Sequence, residues 1–183
     1  MKKLNRITIA IARIAEVIAW IGCAGMAALL AKSVANPGEL ATLAGSNLSI
    51  DGFDVRLVDA GGAVIPGAQA VLYLTGVLVA ALTAMIYRNI HLIFEAAGGG
   101  RPLGEGATPF QPAVVRMVRQ IGWFALAIPA AELLMALVGW MALGAKAAIT
   151  VRPQGISFGL IVLCLSQFFA YGVKLQRDED GLV

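Results

Sequence analysis

The chain has 183 residues, of which 59% are hydrophobic and 14% are charged, and its formal net charge is +3. A soluble domain carries roughly 25% charged and about 45–50% apolar residues, and a soluble fold of this length cannot bury so much apolar surface. Composition therefore excludes an ordinary soluble domain and indicates a membrane protein. The basic residues form no stripe but cluster at the ends of apolar runs, so nucleic acid is not expected as a direct partner.

Four apolar runs are long enough to cross a lipid bilayer. They predict spans at about 12–35, 64–88, 119–144 and 156–174, with outer loops 36–63 and 145–155 and a cytoplasmic loop 89–118. A secretory signal is the alternative for the first run, because Ser33-Val34-Ala35 resembles a cleavage site. Against it, the run exceeds a signal core of ~7–15 residues and contains Glu16. We predict an all-α membrane protein, a single domain in which four transmembrane helices form a bundle.

The distribution of Lys and Arg around the loops predicts the orientation of the spans, because cytoplasmic loops carry the excess. Ten lie on the side of the termini and the 89–118 loop, and four lie on the other side. The ten are Lys2, Lys3, Arg6, Arg13, Arg88, Arg101, Arg116, Arg119, Lys174 and Arg177, and the four are Lys32, Arg56, Lys146 and Arg152. Both termini are therefore expected in the cytoplasm.

The first outer loop contains a predicted β-hairpin. Apolar and polar residues alternate on both sides of Asp51-Gly52, a dipeptide typical of two-residue hairpin turns. In the second outer loop, Ile149-Thr150-Val151 is a β-prone stretch before Pro153. Because a lone hairpin is marginal in water, we expect both loops to build one small extracytoplasmic sheet that caps the bundle.

Glu132 is the candidate functional residue within the spans. An ionisable group near the centre of a span costs at least ~2.5 kcal/mol and should face protein or water. Pro129, three residues earlier, removes a backbone donor and would suit a local kink beside a carboxyl that handles protons or cations. The structural alternative is a protonated carboxyl that is hydrogen-bonded to Gln167 or Ser166 on a neighbouring helix.

Other polar residues near the spans point less clearly to a function. Arg13 and Glu16 lie three apart on one face of the first span and are expected to pair and anchor that helix. His91 is the one histidine, and no ligand partner is evident for it. Cys23 and Cys164 lie within apolar runs and are interpreted as packing residues.

No motif indicates catalysis or a cofactor. The glycine-rich segment 98–106 lacks the Gly-Lys-Ser/Thr of a phosphate-binding loop and the preceding strand of a dinucleotide site, so it is interpreted as a cytoplasmic turn. Neither a pair of catalytic groups nor a metal-ligand spacing is present, and we expect no enzyme, no metal and no cofactor. An intramembrane enzyme is the least favoured reading.

Two stretches resemble a family of bacterial four-span membrane proteins known as "domain of unknown function 2975". Pro109-Phe110, Val114-Val115-Arg116 and Ile121-Gly122 are similar to that family's Pro-Phe turn and Asn-Val-x-Arg-Leu-Arg-x-Ile-Gly stretch. The segment 168–176 and the acidic residues after it are similar to its Phe-x-x-Gly-x-x-Leu-Gln ending. The Asn and Leu of the first motif are absent, and Gly181-Leu182 replaces the family's Leu-Thr. The resemblance implies a bacterial inner membrane and a small helix-turn-helix regulator as partner.

Two hypotheses of function follow. The first is a regulatory or interaction protein that binds a cytoplasmic partner. The candidate docking residues are Phe110, Arg116, Arg119, Leu175, Gln176, Asp178 and Asp180. A packing role for Phe110 and a purely topological role for the arginines are the alternative. The second hypothesis is a small oligomeric transporter or channel that uses Glu132. Expected partners are the lipid bilayer, a cytoplasmic protein and further copies of the chain.

Overall fold

The computed structural model describes residues 2–36, 47–59, 61–97, 112–144, 149–151 and 155–180. Its helices are α1 (Lys2–Ala35), α2 (Ala68–Ala97), α3 (Pro112–Leu143) and α4 (Gly155–Asp180). Its strands are β1 (Asn47–Ile50), β2 (Phe53–Arg56) and β3 (Ile149–Val151). All four helices are long and apolar enough to cross a membrane, as expected for the four predicted spans.

The helices extend beyond the predicted spans where the flanking sequence permits it. α1 begins at Lys2 and α4 continues to Asp180, because Lys, Arg, Glu and Gln sustain a helix in water as well as apolar residues do in lipid. α3 begins at Pro112, at a helix start where the missing proline N–H has no intrahelical role. Pro129 lies inside α3, and the helix is continuous through it.

The chain divides into two compact units. Unit 1 comprises Met1–Ile18, Thr83–Leu126 and Gly155–Val183, and unit 2 comprises Ala19–Leu82 and Ala127–Gln154. In unit 1, α3 and α4 approach closely at two glycines. A Cβ atom at Gly122 would lie 2.7 Å from the Leu163 side chain, and one at Gly159 would lie 2.7 Å from that of Leu126. Small residues at such positions let helix backbones come close together.

Unit 2 contains the three strands, which form one antiparallel sheet in the order β1-β2-β3. Ile50 pairs with Phe53 across the hairpin, and Phe53 pairs with Val151 of the third strand. Asp51 and Gly52 both have positive φ angles, 50° and 91°, as a tight hairpin turn of this kind requires. The predicted hairpin and its third strand are therefore confirmed.

One face of the sheet packs on the helices of unit 2 and forms its core. The buried members of this core are Phe53, Val55, Leu57, Ile65, Ala68, Leu72 and Met135. Phe53 and Leu57 are completely buried. The same face carries Ile50, whose Cδ1 would lie 3.1 Å from a Cβ atom at Gly76. Gly76 is eight residues into α2, about 12 Å along the helix axis. The sheet thus packs against the first two to three turns of α2.

Candidate functional site

Glu132 is buried in unit 2 with part of its carboxyl group unsatisfied. The residue is 2% exposed, and its Oε1 atom has no hydrogen-bond partner among the described residues. Lying twenty residues after Pro112, it is about 30 Å along α3. Most buried polar atoms in proteins are hydrogen-bonded, so an unpaired one requires an explanation.

The sheet reaches the neighbourhood of this carboxyl. Met135, one turn further along α3, belongs to the core beneath the sheet, and residues three apart share a helix face. Asp51, in the hairpin turn, is exposed. Glu132 therefore lies on the face of α3 that contributes to the core beneath the sheet.

Ser166 and Gln167, the hydrogen-bond partners expected for Glu132, belong to unit 1, whereas Glu132 belongs to unit 2. The Ser166 hydroxyl donates to the carbonyl oxygen of Leu163 in its own helix, at 2.7 Å. Gln167 is exposed. Gln69, in the first turn of α2, was not among the residues predicted from the sequence. It is 4% exposed, and its side-chain nitrogen and oxygen both lack hydrogen-bond partners in the described part of the chain. A single Gln at the start of an apolar helix is the signal that would have drawn attention to it.

His91 has acidic partners that the sequence analysis did not foresee. Its Nδ1 atom lies 3.7 Å from Oε2 of Glu16, and its Nε2 atom lies 3.9 Å from Oε2 of Glu95. The Glu95 contact follows from the i,i+4 spacing on α2, whereas Glu16 belongs to α1 and could not be assigned from spacing. Arg13, expected to pair with Glu16, is exposed and forms no such pair among the residues described. Glu16 therefore contacts His91 of α2, and not Arg13 as predicted.

Most of the docking candidates lie in unit 1 and are exposed. Arg116 and Arg119 are exposed near the start of α3, and Leu175 is 47% exposed near the end of α4. Asp178 is exposed one turn later, and Gln176 is partly buried. Asp180 is the last residue of α4, and Phe110 lies outside the described residues.

No group of His, Cys, Asp and Glu residues in the described ranges is arranged to hold a metal ion. No protein-family model, curated protein or solved structure matches this chain. The resemblance to the four-span bacterial family thus stays a prediction.

Proposed function

We propose that this chain is a non-enzymatic regulatory or interaction protein of the bacterial inner membrane, with its termini in the cytoplasm. It binds a cytoplasmic protein through the end of α4 and the start of α3. The observation that supports this proposal is the helical tail of α4. That helix continues past its apolar run to Asp180 and exposes Leu175 beside the charged Asp178.

A large apolar side chain on a water-exposed helical tail favours a protein partner. Within the spans, exposed leucines meet lipid, but Leu175 follows Lys174 and precedes Arg177 and Asp178. An exposed apolar residue rimmed by charges is typical of an interaction surface. The family resemblance suggests a small helix-turn-helix DNA-binding protein as the partner.

The experiment is crosslinking in native membranes with a tagged full-length chain, followed by mass spectrometry. A chain that ends at Leu175 and the variant Leu175→Ser should both lose the DNA-binding partner. A chain that ends at Asp180 keeps all of α4 and should retain it. Capture of the same protein by every variant, or only self-crosslinks in all of them, would contradict the docking proposal.

The second candidate function is transport of protons or cations. It is favoured by the burial of Glu132, whose Oε1 atom lacks a hydrogen-bond partner in the part of the chain that the structure describes. In proteoliposomes a transporter should lose ion flux in Glu132→Gln, which keeps the shape of the side chain but cannot ionise. Glu95→Gln removes a carboxyl from unit 1 and is the matched control. Flux that is equal in both variants and in the original chain excludes this role for Glu132.

A further inference from the structure

A cavity of about 350 Å³ lies between α2 and α3 in unit 1. Its lining includes Arg88 and Asn89 from α2, and Arg116, Gln120 and Phe124 from α3. On α3 these residues are spaced four apart, so they follow one face of the helix. The cavity is consequently built by two regular helix faces and not by a loop.

The cavity has a polar rim and a buried floor. Arg88, Arg116 and Gln120 are exposed, whereas Asn89 and Met117 are each 8% exposed. Met85 and Phe124 extend the lining into the apolar runs 64–86 and 121–145. A ligand in this cavity therefore meets two guanidinium groups at the rim and apolar side chains beyond it.

The rim carries two positive charges, and no negative charge compensates them among the residues that the structure describes. Within those residues, neither Arg88 nor Arg116 forms an ion pair and no carboxylate lines the cavity. Guanidinium groups bind phosphate oxygens in a bidentate manner, and the amides of Asn89 and Gln120 add further donors. The chemistry of the rim selects an anion with several oxygen atoms, such as a phosphate group.

The position of the rim along the helices identifies the source of that phosphate. One residue, Tyr87, separates Arg88 from the end of the second apolar run. Four residues separate Arg116 from the start of the third. Basic residues at the ends of spans lie at the level of the lipid headgroups, and basic pockets between spans bind anionic headgroups. The apolar end of the cavity suits an acyl chain, which a soluble anion lacks.

We propose that this cavity is a specific binding site for an anionic phospholipid. Arg88 and Arg116 hold its headgroup phosphate, and its acyl chain lies against Met85 and Phe124. Arg116 also belongs to the proposed docking surface, but lipid binding is measured on the purified chain without a protein partner, so the two proposals are tested separately.

The test is native mass spectrometry of the full chain in mild detergent, with added phosphatidylglycerol or phosphatidylcholine. The original chain should retain phosphatidylglycerol preferentially. The double variant Arg88→Gln, Arg116→Gln should bind it about thirty-fold more weakly, since each basic residue near a membrane surface is worth about 1 kcal/mol. Arg119→Gln removes an exposed charge from the same helix outside the cavity and should bind like the original chain.

Other outcomes would overturn the proposal. Equal retention of both lipids would mean that the net charge of the headgroup is not recognised, and equal loss in Arg119→Gln and the double variant would mean a general attraction to charge. Displacement of the lipid by inorganic phosphate at matched concentration would indicate a site for soluble anions. Should the double variant not fold, the single variants Arg88→Gln and Arg116→Gln decide, and each should bind phosphatidylglycerol about five-fold more weakly than the original chain. Unchanged binding in both single variants would overturn the proposal.

Discussion

A carboxyl oxygen without a hydrogen-bond partner is costly wherever water is excluded. Glu132 is buried in α3, and its Oε1 atom has no hydrogen-bond partner within the described ranges. Burying a polar group without a partner costs roughly 1–3 kcal/mol in proteins. Thr75 in the same unit is also buried, but its hydroxyl donates to the carbonyl oxygen of Val71 at 2.8 Å. The two residues therefore predict opposite responses when their polar groups are removed.

We predict that Glu132→Leu raises the free energy of unfolding by about 1–3 kcal/mol, because it removes an unsatisfied buried group from an apolar helix. Thr75→Val keeps the shape of the side chain and should lower stability by about 1 kcal/mol, since it removes a made hydrogen bond. Thermal unfolding in detergent measures both. A large loss of stability in Glu132→Leu would mean that this carboxyl is a structural anchor.

His91 lies between carboxylates from two helices of unit 1, and the contacts of 3.7 and 3.9 Å are too long for hydrogen bonds and become ion pairs only when the imidazole is protonated. We predict that Glu16→Gln lowers stability by at most about 1 kcal/mol, as is usual for pairs near a surface. The loss should disappear when His91 is already Ala. A double-mutant cycle measures this coupling, and an undiminished effect of Glu16→Gln in the His91→Ala background would show that Glu16 acts through another group.

At the scale of single elements, glycines decide how closely α3 and α4 approach. A Cβ atom at Gly159 would lie 2.7 Å from Leu126 Cγ and 3.1 Å from its backbone nitrogen. The leucine side chain can rotate away, but the backbone nitrogen cannot move without separating the helices. By contrast, no atom of the described residues lies within 4 Å of a Cβ atom at Gly22 in α1.

The same substitution should thus have opposite signs at these two glycines. We predict that Gly159→Ala lowers stability by about 1–3 kcal/mol through overpacking. Gly22→Ala should raise it by up to about 1 kcal/mol, because alanine is the better helix former and meets no neighbour. Chemical denaturation in detergent compares the two, and stabilisation by Gly159→Ala would contradict the close contact between α3 and α4.

The hairpin is the element that sequence predicts most directly, because its information is local. Asp51-Gly52 adopts the positive φ angles that the turn demands, and the alternation around it specifies which face is apolar. The position of the hairpin along α2 does not depend on local sequence. Ile50 packs against Gly76, where the absence of a side chain leaves space. The sequence of neither segment shows that these two residues meet.

At the scale of the whole molecule, the polar face of the sheet indicates which part of the protein contacts water. Ser49, Arg56 and Thr150 are exposed, while the opposite face is buried on helices that are apolar enough to cross a membrane. Exposed strand backbone does not occur in contact with lipid. The polar face of the sheet is therefore expected to meet water on the extracytoplasmic side.

Cysteine labelling in intact cells tests this expectation together with the orientation of the spans. In a background with Cys23→Ala and Cys164→Ala, we predict that Thr150→Cys reacts with a membrane-impermeant maleimide. Asp178→Cys should react only after the membrane is opened. Reaction of Asp178→Cys in intact cells would reverse the predicted orientation, and protection of Thr150→Cys would show that protein or lipid covers the polar face.

The sequence alone determined the four spans, the hairpin with its third strand, and Glu132 as the unusual residue of α3. Each of these depends on residues close together in the chain, where hydrophobic length, alternation and turn chemistry act. Only the tertiary structure brought Glu16 to His91, Arg88 to one cavity with Arg116, and Ile50 to Gly76. These contacts depend on how each helix is rotated about its axis and how deeply it packs. That arrangement is set by side chains from distant segments, so no local pattern contains it.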